Sequence, residues 1–434
     1  MLARAPGRLD FIGGVSDYSG GVVLEATLAH SAYVVAQRTE DDWIEVRTTL
    51  PAAEPFNPEA RFSRQALFPQ SGLLSLDEAA ALFQQDPATH WAAYILGCLM
   101  ALAESGRLQG DRVGGLSLLV SSEVPAGAGV SSSAALEVAA MRAIAHLYRV
   151  PMDGLSLARL CQTVENRVVG APCGIMDQVT SALGRQDALI ELRCQPHDVL
   201  GFIPIPDEWQ ILAINSAVKH SVGGSSYRRA RVAAYMGFRI AQLLLSDNLN
   251  GYLCNLGPDR LAAIYDELPE TLSGREFLTK YGELPDATTS VDTDEIYRVR
   301  ACASHPIKED QRVLKMASIL QAAGEHPTAE LGREAGELMH AAHRAYNELE
   351  LGSPETDLLV ELAQKEGAEA GIYGAKITGG GSGGAVALLV NRAEEDGALD
   401  RICTEYHRQT GLKPERLDGS SEGAMFTPVE TIPI

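Results

Sequence analysis

The stretch VPAGAGVSSSAA, residues 124–135, predicts a glycine-rich loop that leads directly into a helix. Gly127 and Gly129 allow the backbone to turn sharply and to approach a ligand closely, because neither carries a Cβ atom. Apolar residues then follow at helical spacing, at Leu136, Ala140, Ile144 and Leu147. The serines therefore lie at a helix N-terminus, where unpaired N–H groups and the positive end of the helix dipole favour phosphate oxygens. This pattern predicts a nucleotide-using enzyme.

Two better-known glycine loops do not fit this stretch. A P-loop ends in Gly-Lys-Ser/Thr, and no lysine follows Gly129. A dinucleotide-binding fingerprint has a third glycine at the position that Ser132 occupies here. From this stretch alone one further alternative stays open, in which the three serines are an ordinary N-cap cluster after a turn.

Three more stretches place glycines beside charged residues. They are RAPGRLDFIGGVSDYSGG at residues 4–21, VENRVVGAPCGIMDQ at 164–178 and KITGGGSGGAV at 376–386. In the second, a helix that carries Glu165 is predicted to break near Pro172, after which a new segment presents Asp177. The third lies between two strand-like segments, which favours a tight loop against another backbone over a flexible linker.

Together the four stretches, in their order along the chain, resemble the GHMP kinase superfamily. Residues 4–21 resemble the galactokinase signature, as do GIMDQ at 174–178 and HSVGGSSY at 220–227. One departure concerns the substrate. Galactokinases have Glu-His where this chain has Gly14-Val15, and in that family the pair faces the C6 hydroxymethyl side of the sugar. In this respect the chain is similar to the kinase domain of plant L-arabinokinases.

The resemblance implies an α+β fold of two domains, with the active site in the cleft between them. Residues 1–208 would form a domain like ribosomal protein S5 domain 2, and residues 209–434 a ferredoxin-like domain. The sequence pattern agrees, because helices and strands mix without strict βαβ alternation. It predicts strands at 22–24, 33–36 and 116–120, and helices at 90–105, 228–245, 308–323, 329–350, 355–367 and 394–409. Residues 51–90 are predicted to be largely irregular, and residues 246–306 are left unassigned.

A role for each motif residue is also implied by the resemblance. Asp177 would accept the proton of the sugar's anomeric hydroxyl, and Arg8 would keep Asp177 ionised and stabilise the transferring phosphoryl group. The ATP phosphates would bind to Gly127, Ala128, Gly129, Val130, Ser131, Ser132 and Ser133. Mg²⁺ would be held by Ser133 and Glu165. The sugar would contact Gly14, Val15, Asp17, Gly174 and Tyr227. Adenine would lie near Trp91 and Tyr94, unless these two only pack in the core at i,i+3 spacing.

These roles predict a sugar 1-kinase that uses ATP and Mg²⁺ and converts L-arabinose to L-arabinose 1-phosphate. Two alternatives stay open. One is the same reaction on galactose or another galacto-configured sugar, and the other is a catalytically silent protein that binds sugar and ATP to regulate transcription. The intact residues Arg8, Ser133, Glu165 and Asp177 favour an enzyme.

The net charge, the apolar pattern and the cysteines indicate the partners and the surroundings of this protein. With 36 Lys+Arg against 57 Asp+Glu, the net charge is −21, which disfavours nucleic acid and anionic membranes. No apolar run approaches the roughly 20 residues of a membrane span, and no signal peptide precedes Arg4. The seven cysteines are scattered and form no Cys-x-x-Cys, as is typical of reduced thiols. We expect a cytoplasmic protein, monomeric or weakly homo-oligomeric, whose partners are its sugar and ATP.

Overall fold

The computed structural model describes residues 1–50, 56–69, 72–218, 225–393 and 395–432. The motif at 220–227 therefore lies outside the described residues up to position 224. The strands in the described ranges are β1 (Leu2–Ile12), β2 (Val22–Thr39), β3 (Trp43–Thr48), β4 (Glu59–Ser63), β5 (Gly115–Ser122), β6 (Ala188–Arg193), β7 (Asp198–Pro204), β8 (Trp209–Asn215), β9 (Leu272–Ser273), β10 (Ile296–Tyr297), β11 (Ile372–Ile377), β12 (Ala385–Asn391) and β13 (Glu415–Leu417).

The α-helices are α1 (Arg64–Leu67), α2 (Leu76–Phe83), α3 (Ala93–Glu104), α4 (Ser132–Leu147), α5 (Gly154–Thr163), α6 (Met176–Leu183), α7 (Ser225–Leu245), α8 (Gly257–Ile264), α9 (Gly274–Tyr281), α10 (Val299–Glu325), α11 (Ala329–Glu348), α12 (Pro354–Glu366) and α13 (Glu395–Thr410). A π-helical segment, Val164–Val169, continues α5. No helix within the described ranges is both long enough and apolar enough to cross a membrane.

The first sheet has seven strands and is built around the long strand β2. Its order is β4-β3-β5-β2-β6-β7, and β1 also pairs with β2, with Leu2 opposite Val35 and Ile12 opposite Leu24. All neighbours are antiparallel except β3 and β5. Helix α4 packs against this sheet and α3 packs on α4, and both helices share the largest apolar core with the sheet. The register of β1 shifts between Pro6 and Arg8, as strands often do beside functional sites.

A second sheet has the order β11-β12-β8-β13, with antiparallel neighbours throughout. Along the chain its strands come as β8, β11, β12 and β13, with helices between β8 and β11 and with α13 between β12 and β13. This is a βαββαβ arrangement in which the first and third strands are central, and it is the ferredoxin-like topology that the resemblance implies. The α+β fold class that the sequence predicts is thereby confirmed.

Helix α10 begins at Val299, whereas the sequence predicts a helix that begins at residue 308. The residues before 307 are poor in helical periodicity, and Pro306 lies inside the helix although an internal proline usually ends one. Here the turns on both sides of Pro306 are held by apolar packing, since Val299, Cys302 and Ile307 are all buried in one cluster. The unassigned stretch before α10 contains α8, α9 and the short strands β9 and β10.

Candidate active site

One cavity forms where the four glycine-rich stretches meet. It is lined by most of the residues that the sequence singles out, namely Arg8, Val15, Asp17, Gly127, Gly129, Ser131, Ser132, Ser133, Glu165, Gly174, Asp177 and Tyr227. Cys173, Met176 and the glycines at 379 and 380 also line it. Residues that are far apart in the chain thus share one site, as the motifs predict.

The loop before α4 leaves the first turn of that helix without a side-chain cap. Ser131 has a left-handed backbone, with φ of +57°, and its hydroxyl makes no capping hydrogen bond. That hydroxyl is buried and has no hydrogen-bond partner within the described structure. An N-cap serine normally accepts a hydrogen bond from the helix's first N–H groups. Its failure to do so here disfavours the simple N-cap alternative and leaves these donors available to an anion.

A second glycine loop, residues 378–384, is pressed against the first. A Cβ at Gly379 would lie 2.6 Å from the carbonyl oxygen of Gly129, and one at Gly384 would lie 2.7 Å from that of Ala128. Both glycines also have left-handed backbones, with φ of +70° and +86°. Only glycine permits this approach at these positions. The loop is thus a tight backbone contact, as predicted, and not a linker.

Arg8 connects the phosphate loop to Asp177. Its Nε donates to Asp177 Oδ1 at 2.9 Å, and its Nη1 donates to the carbonyl oxygen of Gly129 at 2.8 Å. Glu25 lies on the other side of the guanidinium, with Oε2 at 3.4 Å from Nε. Burial by itself lowers the pKa of Arg8, but Asp177 and Glu25 outweigh it and raise the pKa, so the guanidinium is charged. Asp177 is one-fifth exposed and lies in the first turn of α6, where the helix dipole favours a carboxylate.

Glu165 lies deeper, in the π-helical segment, beside a second buried carboxyl group. Burial and the charge of Asp177 raise the pKa of Glu165 to about 7, although hydrogen bonds to Ser133 and Cys173 act in the opposite direction. Gln178 donates from Nε2 to Glu165 at 2.7 Å. Burial also raises the pKa of Glu137, which follows Ser133 by one turn of α4. The site therefore contains carboxyl groups that would be better ionised with a cation bound, and Ser133 and Glu165 fit the oxygen ligands that Mg²⁺ prefers.

The opposite side of the cavity presents polar and aromatic groups. Asp17 is 3% exposed, and burial together with the charge of Asp177 raises its pKa to about 6. Gly174 packs directly on Asp17, since a Cβ at that position would overlap Asp17 Oδ2. Tyr227 meets Tyr18 edge to face, with ring centroids 6.2 Å apart. This wall can offer a carboxylate and a phenol to a hydroxylated ligand.

Val15 lines the cavity in an unusual conformation, while Gly14 faces away from it. The φ of Val15 is +62°, a backbone region that β-branched residues rarely adopt. A Cβ at Gly14 would overlap Asp10 Oδ2 and the hydroxyl of Tyr346, so the position points into a buried polar cluster. In that cluster, Lys376 Nζ donates to Asp10 Oδ2 at 2.8 Å. Gly14 is therefore not among the residues that line the cavity.

Trp91 and Tyr94 are also not among the lining residues. The Nε1 of Trp91 donates to the carbonyl oxygen of Asn57 at 2.8 Å, and its ring lies 5.9 Å from that of Phe56. Tyr94 packs against the large core of the first sheet. The contact of these two residues with adenine stays a prediction.

Several residues around the site are not predicted from the sequence. Arg231 of α7 lies over the ring of Tyr18 at 5.2 Å and is held by both carboxylate oxygens of Asp286, at 2.9 and 3.1 Å. A lone arginine in a helix carries no pattern that could have identified it. Glu137 could have been found, because it follows Ser133 at i,i+4 and so lies on the same helix face.

Family comparisons agree with this geometry. Residues 93–185 match the GHMP kinases N terminal domain, residues 327–408 match the GHMP kinases C terminal domain, and residues 1–38 match the galactokinase galactose-binding signature. The chain therefore belongs to the GHMP kinase family.

Similarity to individual proteins is more specific. The chain is 38% identical to the L-arabinokinase of Arabidopsis thaliana over 98% of its own length, but it spans only 46% of that longer protein. It is 30% identical to the galactokinase of Roseiflexus sp. (strain RS-1), over 95% of this chain and 88% of that one. Its fold is similar to that of Lactococcus lactis galactokinase complexed with galactose, with a TM-score of 0.75, 23% identity, and coverage of 98% and 95%. Within the family the chain is of the galactokinase and arabinokinase type.

Proposed function

We propose that the protein is an ATP-dependent kinase that phosphorylates the anomeric hydroxyl of L-arabinose, giving L-arabinose 1-phosphate and ADP. The observation that carries this assignment is Val15. It lines the cavity at a position where galactokinases have a histidine, and the neighbouring Gly14 replaces their glutamate. L-Arabinopyranose has the ring and hydroxyl configuration of galactopyranose but lacks the C6 hydroxymethyl group. An apolar branch in place of two polar groups suits such a pentose.

Further support comes from the region behind Gly14. The space that a glutamate side chain would need is filled by Asp10 and Tyr346, whose hydroxyl donates to Asp10 Oδ2 at 3.2 Å. Asp10 Oδ1 in turn accepts from the N–H of Gly14 at 3.1 Å. These contacts hold the loop so that Val15, and not a polar group, faces the cavity in which we propose that the sugar binds.

On the nucleotide side, the residues from Gly127 to Ser133 provide backbone N–H groups for the ATP phosphates. Ser133 and Glu165 would hold Mg²⁺, which when bound neutralises phosphate charge. The remaining requirement of phosphoryl transfer is an aligned nucleophile whose proton has an acceptor. Asp177 takes that proton, or polarises the anomeric hydroxyl electrostatically, while Arg8 holds its carboxylate in place and stabilises charge on the transferring group.

The sugar is recognised by the side of the cavity opposite the phosphate loop. We infer that Asp17 accepts hydrogen bonds from a pair of vicinal hydroxyls and that Tyr227 and Gly174 complete the wall. Because burial raises the pKa of Asp17 to about 6, its ionised form is destabilised until sugar hydroxyls donate to it. Sugar binding and ionisation of Asp17 would therefore favour each other.

Two other functions make different predictions. A galactokinase would use D-galactose at least as well as L-arabinose. A regulatory sugar-binding protein would bind sugar and ATP without turnover, yet it would have no need of the Arg8–Asp177 pair that faces this cavity.

A panel of free sugars separates these functions. We expect sugar-dependent release of ADP to be fastest with L-arabinose, and the ³¹P–¹H coupling of the product to place the phosphate on the anomeric carbon. Release of ADP only with hexoses would contradict the arabinose assignment, and binding without any ADP release would contradict the enzyme.

A further inference from the structure

A second cavity lies between the first half of α10 and the C-terminal end of α11. Its volume is about 330 Å³, within the range of small-molecule pockets. Six polar residues dominate its lining: Arg298, Arg300, Ser304, His305, Lys308 and Arg312. None of these residues lines the candidate active site.

The lining of this cavity has more cations than carboxylates, in a strongly acidic protein. Four cationic side chains face two exposed carboxylates, those of Glu270 and Glu348, whereas the whole chain has a net charge of −21. Lys308 has no ion pair within the described part of the chain, and its Nζ lies 5.2 Å from the centre of the Tyr265 ring. Arg300 is held by backbone carbonyl oxygens of Leu268 and Asp266, at 2.8 and 3.3 Å. Arg298 and Arg312 pair with Glu350 and Glu309, which lie outside the lining. Arg300 and Lys308 have no carboxylate partner among the described residues, and such cations favour an anionic ligand.

The floor of the cavity has unused hydrogen-bonding groups. Ser304 is 2% exposed and His305 is 4% exposed. The hydroxyl of Ser304 and the Nδ1 of His305 are buried and have no hydrogen-bond partner within the described structure. His305 Nε2 lies 3.3 Å from the carbonyl oxygen of Gly14 and is assigned as the donor, which leaves Nδ1 as an acceptor. The floor thus offers one donor and one acceptor, and buried polar groups usually have partners.

We propose that this cavity binds a phosphate monoester that also carries hydroxyl groups, as a sugar phosphate does, and that His305 transmits its occupancy to the sugar pocket. The phosphate matches the side chains of Arg300 and Lys308, which have no carboxylate partner among the described residues, and the hydroxyl of Ser304. A ligand hydroxyl can donate to His305 Nδ1, which the ionised phosphate group of a monoester cannot do because it carries no proton. The phosphate group and the hydroxyl groups of the ligand therefore each have partners in the cavity.

The coupling follows from two contacts that cross to the substrate loop. His305 contacts Gly14 as described, and Glu309 Oε1 accepts from the N–H of Gly13 at 3.3 Å. Glu309 is also the ion-pair partner of Arg312, a residue of the cavity. A ligand that draws His305 toward the cavity weakens its hold on the loop that positions Val15. The coupling rests on the proposed function, whereas the binding site does not.

Isothermal titration calorimetry on the full chain, without ATP or sugar substrate, tests the binding site. The probes are ribose 5-phosphate, inorganic phosphate and ribose. We expect ribose 5-phosphate to bind at least about tenfold more tightly than either other probe. Lys308→Gln and Ser304→Ala should each weaken it about tenfold, and Lys315→Gln, an exposed charge change on the same helix outside the cavity, should not.

Several results would overturn the site. Unchanged affinity in both Lys308→Gln and Ser304→Ala would place the ligand elsewhere, the active site included. Ribose that binds as tightly as ribose 5-phosphate would remove the role of phosphate, and inorganic phosphate that does so would remove the role of the hydroxyls. The titration should reach about 10 mM ribose 5-phosphate, a concentration far above the dissociation constant of any useful site. If no heat of binding is measured up to that concentration, the binding site is refuted.

Kinetics then test the coupling. Saturating ribose 5-phosphate should raise the KM for the sugar substrate about fivefold in the wild type, and it should leave the KM of His305→Gln unchanged. A KM that does not respond in a wild type that binds the ligand would refute the coupling. If the preferred sugar proves not to be L-arabinose, the calorimetry still decides the binding site.

Discussion

Arg8 and Asp177 stand 169 positions apart in the sequence, yet the Nε of Arg8 donates to Asp177 Oδ1 at 2.9 Å. The same guanidinium donates to the carbonyl oxygen of Gly129. One buried arginine therefore fixes the distance between the proposed proton acceptor and the phosphate loop. Asp177 keeps one-fifth of its side chain exposed toward the cavity, so it is held in place and still accessible to a substrate.

Asp177→Asn tests the role of this carboxylate. The amide keeps the shape but cannot accept the proton, so we expect kcat to fall by roughly 10²–10⁴. The affinity for ATP, measured by calorimetry, should change little because the phosphates are bound elsewhere. A variant that keeps more than about a tenth of the wild-type turnover would show that Asp177 is not the catalytic carboxylate, since general-base catalysis contributes far more than that.

Glu165 should make the Mg²⁺ requirement depend on pH. Its pKa is raised to about 7, and a hard cation binds the ionised carboxylate. Below pH 7 the proton competes with the metal. The Mg²⁺ concentration for half-maximal rate should therefore be about tenfold higher at pH 6 than at pH 8. In Glu165→Gln the requirement should be high at both pH values, whereas the exposed control Glu123→Gln should behave as the wild type does.

The same raised pKa has a consequence for stability in the absence of metal. The folded chain favours the protonated form of Glu165, so this group's contribution to the free energy of unfolding is full below its ordinary value of 4.5. That contribution is lost as the pH rises toward 7 and changes little above it. Thermal melts should show Mg²⁺ with nucleotide stabilising the wild type more at pH 8 than at pH 6. Equal stabilisation at both would contradict Glu165 as a ligand.

Gly174→Ala should damage the sugar site selectively. The new Cβ would overlap Asp17 Oδ2 and force that carboxylate to move. We expect the KM for the sugar to rise at least about tenfold, the cost of one misplaced charged hydrogen bond, with the KM for ATP unchanged. Gly114→Ala is the matched control, because a Cβ there meets no atom within 4 Å. An unchanged sugar KM in Gly174→Ala would remove Asp17 from sugar recognition.

Val15→Gly should open the pocket to hexoses. Glycine adopts the φ of +62° without strain, so the loop can keep its conformation while the isopropyl group is lost. The ratio of kcat/KM for D-galactose to that for L-arabinose should rise about tenfold, as expected for a filled apolar volume that becomes free. A ratio that stays constant would mean that Val15 does not limit substrate size.

The glutamate of galactokinases cannot simply be restored. Sequence alone suggests Gly14→Glu with Val15→His as the route to hexose use. In the structure a side chain at position 14 would collide with Asp10 and Tyr346. These two residues come from β1 and α11, so no local pattern reveals that they meet behind Gly14.

The parts of the site that can be predicted from the sequence are those in which the backbone conformation requires a particular residue type. Gly379 and Gly384 signal close approach because only glycine fits there, and the serines after Gly129 signal a helix start. The contacts that the sequence does not predict are those between single side chains that only the fold brings together. Lys376 and Asp10, 366 positions apart, form a buried ion pair with no signature in either segment. Arg231 contacts Tyr18 beside the site from a helix whose sequence contains no motif that would identify this arginine.

The same limit applies to the elements. The helices at 329–350 and 355–367 were predicted almost to the residue, because their apolar spacing is regular and their caps are present. In contrast, the first part of α10 has little helical periodicity and contains a proline, and it is held as a helix by buried packing that the sequence does not show.

The ratio of kcat/KM for L-arabinose to that for D-galactose, measured on the wild-type protein at saturating MgATP, tests the central claim most directly. Val15 lines the cavity, and Asp10 and Tyr346 close the space behind Gly14. In the proposed complex a hexose would therefore find neither a hydrogen-bond partner nor room for its C6 group. We predict a ratio of at least about tenfold in favour of L-arabinose, or ~1.4 kcal/mol. Equal or better use of D-galactose would contradict the account and identify a galactokinase instead.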